Sequence, residues 1–190
     1  MSMGDAWTRA GNAVFRKTRD PWGGFSNMCA GYPITIDGIT VRTSEALYQA
    51  LKFPTHPDIQ ELVISQRSPM AAKMVTKPHR DKIRCDWVDT REDIMYWCLV
   101  QKLHQNPSFV TFLEASAGMD IVEDSFKDRY WGAVPNKAGD VLYGANRLGN
   151  LLMRLRREWF GIGTVRALLP ADSFLCGNPL SNLVISNAIA

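Results

Sequence analysis

Apolar residues recur along this chain at two periods, and the switches between them mark its elements. Val14 to Arg16 predicts a short strand after a polar lead-in, and Pro21-Trp22-Gly23-Gly24 a loop. Tyr32 to Ile36 and Ile39 to Arg42 are β-favouring runs on either side of Asp37-Gly38, a pair suited to a tight hairpin turn. From Thr43 the spacing turns helical. Thr43 or Ser44 is the expected N-cap of a helix that runs to Phe53 and stops before Pro54. Asp58 to Gln66 predicts a second helix. Ser68-Pro69 opens a third, with serine as N-cap and proline at the first helical position, and it ends before Pro78.

Residues 91–105 predict the longest apolar helix: Ile94, Met95, Trp97, Cys98, Leu99, Val100 and Leu103 cover most of its circumference, which places it at the centre of the core. Pro107 to Leu113 predicts a short helix, Asp120 to Glu123 a strand, and Gly132 to Gly144 a loop. Asn146 to Trp159 is helical again, with Leu148, Leu151, Leu152, Leu155 and Trp159 on one face. Arg147, Arg154, Arg156 and Arg157 ride mostly elsewhere, as a solvated face or a basic rim. After Val165 the chain carries Pro170, Gly177-Asn178-Pro179 and small polar residues in no clear period, and a peripheral extension is expected there.

Composition narrows the class. A chain of 190 residues supports one domain with a real core, and 46% hydrophobic with 22% charged residues is the balance of a globular protein. The net charge of +3 tolerates a phosphate-bearing ligand without demanding one. No stretch has the apolar length of a membrane span or the h-region of a secretory signal, so no membrane partner is expected. Cys29, Cys85, Cys98 and Cys176 form no C-x-x-C pair, which is read as reduced thiols and a cytoplasmic location. His56, His79 and His104 are widely spaced without metal-ligand pairing, so no metal site is expected.

Three constellations hold candidate chemistry. On the helix from Thr43, Glu45, Tyr48, Gln49 and Lys52 share one face at 100° per residue. Such a face is ordinarily solvated. However, Glu45 and Lys52 lie about 10 Å apart along the axis, too far for the usual surface ion pair, and a carboxylate, phenol, amide and amine in line suit a cleft. In Ile121-Val-Glu-Asp-Ser-Phe-Lys-Asp-Arg-Tyr-Trp-Gly132, a strand runs into acids and then an aromatic pair. Either the rings stack on a nucleobase while an acid handles the sugar, or a core tryptophan follows a capping aspartate. In Gly24-Phe-Ser-Asn27, the serine and asparagine bind a ligand or hold a turn.

Together these segments resemble the signature of the NADAR (NAD and ADP-ribose associated) family of YbiA-like N-glycosidases. The resemblance rests on Gly24-Phe-Ser-Asn27 and on Thr43-x-Glu45-x-x-Tyr48-Gln49-x-x-Lys52-Phe53. It continues through Trp87, Met95, Lys102 and Gln105-Asn106, then Ile121-Val-Glu123-x-Ser125-x-x-Asp128-x-x-Trp131-Gly132. It ends on Gly144-x-Asn146-x-Leu-Gly149-x-Leu-Leu-Met153-x-Leu-Arg156, so it covers roughly residues 13–159. Ala46 stands where the family usually has histidine, and Met28 where phenylalanine is frequent.

The resemblance implies a compact, predominantly helical α+β fold with a small β-hairpin or sheet. It divides the chain into a lead-in over residues 1–12, the domain over 13–160 and an extension over 161–190. It also implies hydrolysis of a ribose C1′–N bond without metal or redox cofactor. The substrate is then a phosphoribosylamino intermediate of riboflavin synthesis or an ADP-ribosylated base such as guanine in nucleic acid. A binding module for ADP-ribose or a nucleotide is the non-catalytic alternative; retention of two acids argues against it, and a structural protein with a decayed site is a third reading.

Glu45 and Asp128 are the expected acids, since positive charge develops on the ribose at the transition state. Lys52 is expected either to neutralise phosphate or orient Glu45, or to attack a ring-opened C1′ as a free amine. Phe25, Trp87 and Trp131 are candidate stacking surfaces, Asn27 and Asn146 candidate contacts to ribose or phosphate. Ser26, Tyr48, Gln49 and Gly132 complete the expected pocket.

Overall fold

The computed structural model describes residues 5–187. In chain order they form β1 (Ala6–Thr8), β2 (Ala13–Phe15), β3 (Ile34–Ile36), β4 (Ile39–Val41), α1 (Ser44–Ala50), α2 (Pro57–Ile64), α3 (Pro69–Val75), α4 (Trp87–Gln105) and α5 (Pro107–Glu114). Then come β5 (Ile121–Glu123), β6 (Val134–Pro135), β7 (Val141–Tyr143), α6 (Arg147–Arg156), β8 (Thr164–Ala167), β9 (Phe174–Leu175), β10 (Asn178–Pro179) and β11 (Leu183–Ser186). This is the mixed, helix-rich α+β architecture expected. The elements fall into two compact units: the N-terminal stretch to Cys29 with Ser108–Gly163 and Asn187, and Ala30–Pro107 with Thr164–Ser186.

In the first unit, β1 and β6 both pair antiparallel with β7, and β2 pairs parallel with β5, Ala13 opposite Ile121. Val122, Ala133 and Leu142 bury a small core against Trp7 and Val14. Two expectations change here. Residues Ala6–Thr8 of the supposed lead-in are a sheet strand, pinned by a hydrogen bond from Trp7 Nε1 to the Gly144 carbonyl at 3.0 Å. The supposed loop from Gly132 to Gly144 holds the hairpin β6–β7. Its strands are two and three residues long, and one contains proline, so neither shows a period.

α6 packs on β5 through Asn146 and Gly149. Asn146 adopts a left-handed backbone, φ 45°, just before the helix. Its Oδ1 accepts from the Glu123 N–H at 3.1 Å and its Nδ2 donates to the Ile121 carbonyl at 2.8 Å, so the amide serves β5 as a neighbouring strand would. A Cβ on Gly149 would lie 1.9 Å from the Ile121 carbonyl oxygen. The helix ends earlier than its leucine period suggests. It gives way at Arg157 to a wider π-type turn that closes on Gly163, φ 78°.

In the second unit, Asp37 (φ 47°) and Gly38 (φ 80°) make the expected tight turn between β3 and β4. Thr43 caps α1, its Oγ1 accepting from the Ala46 N–H at 3.2 Å. Ser68 caps α3 in the same way at 3.0 Å, ahead of Pro69. α4 begins four residues before its apolar period does, and Ile94 through Leu103 are all buried. A helix buried all round needs cover on every side. The stretch expected to be peripheral supplies part of that cover. β8 and β11 pair antiparallel and pack on α4, and Trp97 Nε1 donates to the Ser181 carbonyl at 3.0 Å. Gln60, fully buried, donates to the Ala50 and Phe174 carbonyls at 3.2 and 2.7 Å and so ties α1 and α2 to the same segment. Among the described residues no helix is long and apolar enough to cross a membrane.

The α6–β5 contact gives a direct expectation. Gly149→Ala places a methyl group on a backbone carbonyl that cannot move, and a loss of at least about 3 kcal/mol is expected by urea denaturation. Asn146→Ala strips partners from a buried N–H and a buried C=O, costing about 2–4 kcal/mol. A loss under about 1 kcal/mol in either variant would show that α6 does not depend on this contact.

Candidate active site

The second unit holds the densest chemistry. α1 sits among α2, α3, α4 and β4 and is buried on every side, including its polar one. Glu45 is 7% exposed, Tyr48 4% and Gln49 2%, which removes the solvated-face reading. Gln49 Nε2 donates to Glu45 Oε1 at 2.8 Å, and Gln49 Oε1 accepts from Thr76 Oγ1 at 3.4 Å. A chain of three polar groups therefore holds the carboxylate in one orientation.

Lys52 lies one residue past Leu51, where α1 ends. Its ammonium is 5.1 Å from the Trp87 ring centroid and 5.7 Å from that of Tyr48. The two rings are 4.9 Å apart and tilted at 49°. Burial pushes the Lys52 pKa down from 10.5 to about 8; the Glu45 charge pulls it partly back up, and Lys73 pushes it further down. A drop of this size raises the share of free amine near neutrality roughly 300-fold. Cys98, fully buried on α4, has its thiol pushed up first by burial and then by the Glu45 charge, so it stays protonated and inert.

The remaining candidates lie in the first unit. Asp128 is exposed, and its Oδ1 accepts from the N–H groups of Tyr130 and Trp131, both at 2.9 Å. Its own N–H donates to Ser125 Oγ at 3.0 Å, so the Ser125-x-x-Asp128 spacing builds a turn. Trp131 is half-buried and meets Tyr130 edge-on at 5.2 Å. Gly132 is required by close approach, since a Cβ there would sit 2.6 Å from the Glu123 carbonyl.

Phe25 is fully buried, stacked on Trp22 at 5.8 Å and packed against Phe112 at 4.7 Å. It is a core ring, and stacking surface for a ligand has to come from elsewhere. Ser26 Oγ accepts from the Met28 N–H at 3.2 Å, and Asn27 is buried beside it. Asn146 has both ends of its amide on β5.

Sequence reasoning did not reach Thr76, which donates to Gln49, or Lys73, whose charge lowers the Lys52 pKa. It also passed over Arg84. The Arg84 N–H donates to the Lys52 carbonyl at 2.9 Å, and its side chain binds Asp86 Oδ2 and the Ala171 carbonyl at 2.9 and 3.0 Å. The one local signal was the i,i+4 spacing of Glu45 and Gln49. Among the described residues no group of three or more His, Cys, Asp or Glu is placed to hold a metal ion.

A buried, oriented carboxylate two helical turns from an amine of lowered basicity, framed by two rings, is an arrangement chemically able to do acid–base or nucleophilic work. The chain belongs to the NADAR domain family, whose model matches residues 14–159. It is 36% identical over 144 residues to N-glycosidase YbiA of Escherichia coli (strain K12), covering 76% of this chain and 86% of that protein. It is 34% identical over 161 residues to the chloroplastic riboflavin biosynthesis protein PYRR of Zea mays, covering 77% of this chain and 25% of that protein. The NMR structure of E. coli YbiA superposes with a TM-score of 0.63 at 38% identity, over 76% of this chain and 82% of that one.

The Lys52 site makes a stability prediction opposite to its functional one. Near neutrality the lysine is charged in both folded and unfolded chains, and only the folded one is desolvated. Lys52→Met is therefore expected to raise the melting temperature at about pH 7. The gain shrinks as pH rises through about 8 towards 10.5, where the folded wild type has shed a proton that the unfolded chain still holds. Melts at about pH 7 and about pH 9.5 check this; a variant less stable at the lower pH, or a gap that does not change with pH, refutes it.

Proposed function

We propose that this chain hydrolyses the C1′–N bond between a ribose and an exocyclic amine, with a phosphoribosylamino-pyrimidine of riboflavin synthesis as the first substrate class. It is a hydrolase of N-glycosyl bonds. The observation that carries the mechanism is the Lys52 amine, lowered to about 8 beside Glu45 and between two rings. A lysine kept only to bind phosphate gains nothing from a lowered pKa. One that attacks carbon needs it.

The reaction then runs as an exchange of amines. Opening of the ribosylamine ring leaves a C1′=N iminium. The neutral Lys52 nitrogen adds to C1′, and Glu45 moves a proton from that nitrogen to the departing one. The substrate amine leaves, and a C1′–Nζ Schiff base remains. Water adds to C1′, the lysine departs as free amine, and the sugar recloses. The balance is one water consumed, one amine and one ribose 5-phosphate released.

Gln49 and Thr76 hold Glu45, and Tyr48 and Trp87 exclude water around the amine. Asp128 is assigned the second acid role on the family resemblance, and Trp131 a stacking role. Asn146 and Gly132 act as positioning residues through the backbone of β5. ADP-ribose on guanine shares the same ribose C1′–N linkage and is the second substrate class.

With the phosphoribosylamino-pyrimidine, and separately with ADP-ribosylated guanine DNA, mass spectrometry is expected to find free amine or free base with wild type and none with Glu45→Ala. With cyanoborohydride present, the sugar is expected to be trapped on the Lys52 peptide. The value of kcat/KM should rise about tenfold per pH unit below about 8 and level off above it. Full turnover by Lys52→Met, or an adduct on another residue, sinks the covalent route; turnover by Glu45→Ala sinks the assignment of Glu45.

A further inference from the structure

In the first unit, one buried carboxylate serves two guanidinium groups. Asp124 directly follows β5 and is 5% exposed. It accepts from Arg16 Nη2 on Oδ1 and Oδ2 at 2.8 and 2.9 Å, and from Arg9 Nη2 on Oδ2. Two positive charges on one negative leave the cluster a net charge of plus one. Both arginines are about a third exposed, so the excess charge faces solvent.

Two further observations concern Arg16. Its Nε is buried and has no acceptor among the described residues. Its guanidinium lies 4.3 Å from the centroid of the Phe126 ring, yet that side chain is 78% exposed. A buried charged N–H without an acceptor is costly, and the exposed ring is held over the guanidinium only by a cation–π contact. The Arg16 loop is fixed in advance, since Asp20 Oδ2 accepts from the Arg16 and Lys17 N–H groups at 2.9 and 2.8 Å. A structural ion pair needs neither a second arginine nor an open ring over the first.

We propose that Arg16, with Arg9 behind the same carboxylate and Phe126 as a movable cover, is a binding site of the first unit for the phosphate group of a phosphorylated ligand. A guanidinium held on one edge by Asp124 keeps donors for phosphate oxygens on the others, the fork geometry that suits this anion. Phe126 loses little burial by swinging aside, and the Arg16 Nε–H then gains its acceptor.

Titration of the whole chain with inorganic pyrophosphate, followed by calorimetry, is expected to show one saturable site. Arg16→Lys keeps the charge and loses the fork, and should weaken binding about tenfold with an unchanged circular dichroism spectrum. Asp124→Asn frees both guanidinium groups and should tighten binding several-fold, and the gain should vanish in the double variant with Arg16→Lys. No saturable pyrophosphate binding, or binding equal in wild type and Arg16→Lys, overturns the proposal.

Discussion

The second unit is organised around a short helix that is buried on both its apolar and its polar sides. α1 has seven residues, all of them buried. Helices so short have little stability of their own. α1 persists because α2, α3, α4 and β4 surround it. That surround desolvates Glu45, Gln49 and Lys52, so every polar group on the helix must find a partner inside the protein. The Thr43 cap, the Glu45–Gln49–Thr76 chain and the ring frame of Lys52 are how that requirement is met. The desolvation of the Lys52 ammonium there costs the folded state stability.

The first unit solves a different problem with similar means. Its strands are two or three residues long and cannot hold a sheet by ladder bonds alone. Side-chain amides and missing side chains do the rest. Asn146 completes the edge of β5, Gly149 lets α6 come within contact of it, and Gly132 lets the turn after Asp128 lie on Glu123. Asp124, at the end of the same strand, gathers Arg9 and Arg16. The segment from Ile121 to Gly149 is thus a set of backbone contacts first, and the exposed Phe126 and Asp128 and the half-buried Trp131 are displayed by that frame.

What the sequence made legible follows the length and chemistry of each element. Thr43, Ser68-Pro69 and Asp37-Gly38 announced two helix starts and a hairpin, because caps and turn residues act locally. The apolar circumference of α4 marked it as central. The period of α6 was correct for its first three turns, but it could not reveal the π-type turn from Arg157, which costs no apolar contact. β1, β6, β7, β8 and β11 were hidden, since two to four residues show no period. The segment after Val165 read as peripheral for the same reason, although Trp97 and Gln60 bind it. At the site, the shared face of Glu45, Tyr48, Gln49 and Lys52 was visible from helix geometry. Whether that face met water or protein was not, because Thr76, Trp87 and Cys98 arrive from α4 and from the end of α3.

Ala46 gains meaning from the same packing. The family usually places histidine after the signature glutamate, and here an alanine 3% exposed has its N–H capped by Thr43. The helix is enclosed at this point, so no ionisable side chain from position 46 reaches the carboxylate. What remains inside the enclosure is a balance between two charges: Glu45 holds the Lys52 pKa up while burial draws it down. A carboxylate further off would leave the Lys52 amine less basic still, and one in a close pair with it would hold it charged. Two helical turns of separation, with Gln49 holding the carboxylate on its own side, set the amine between those limits.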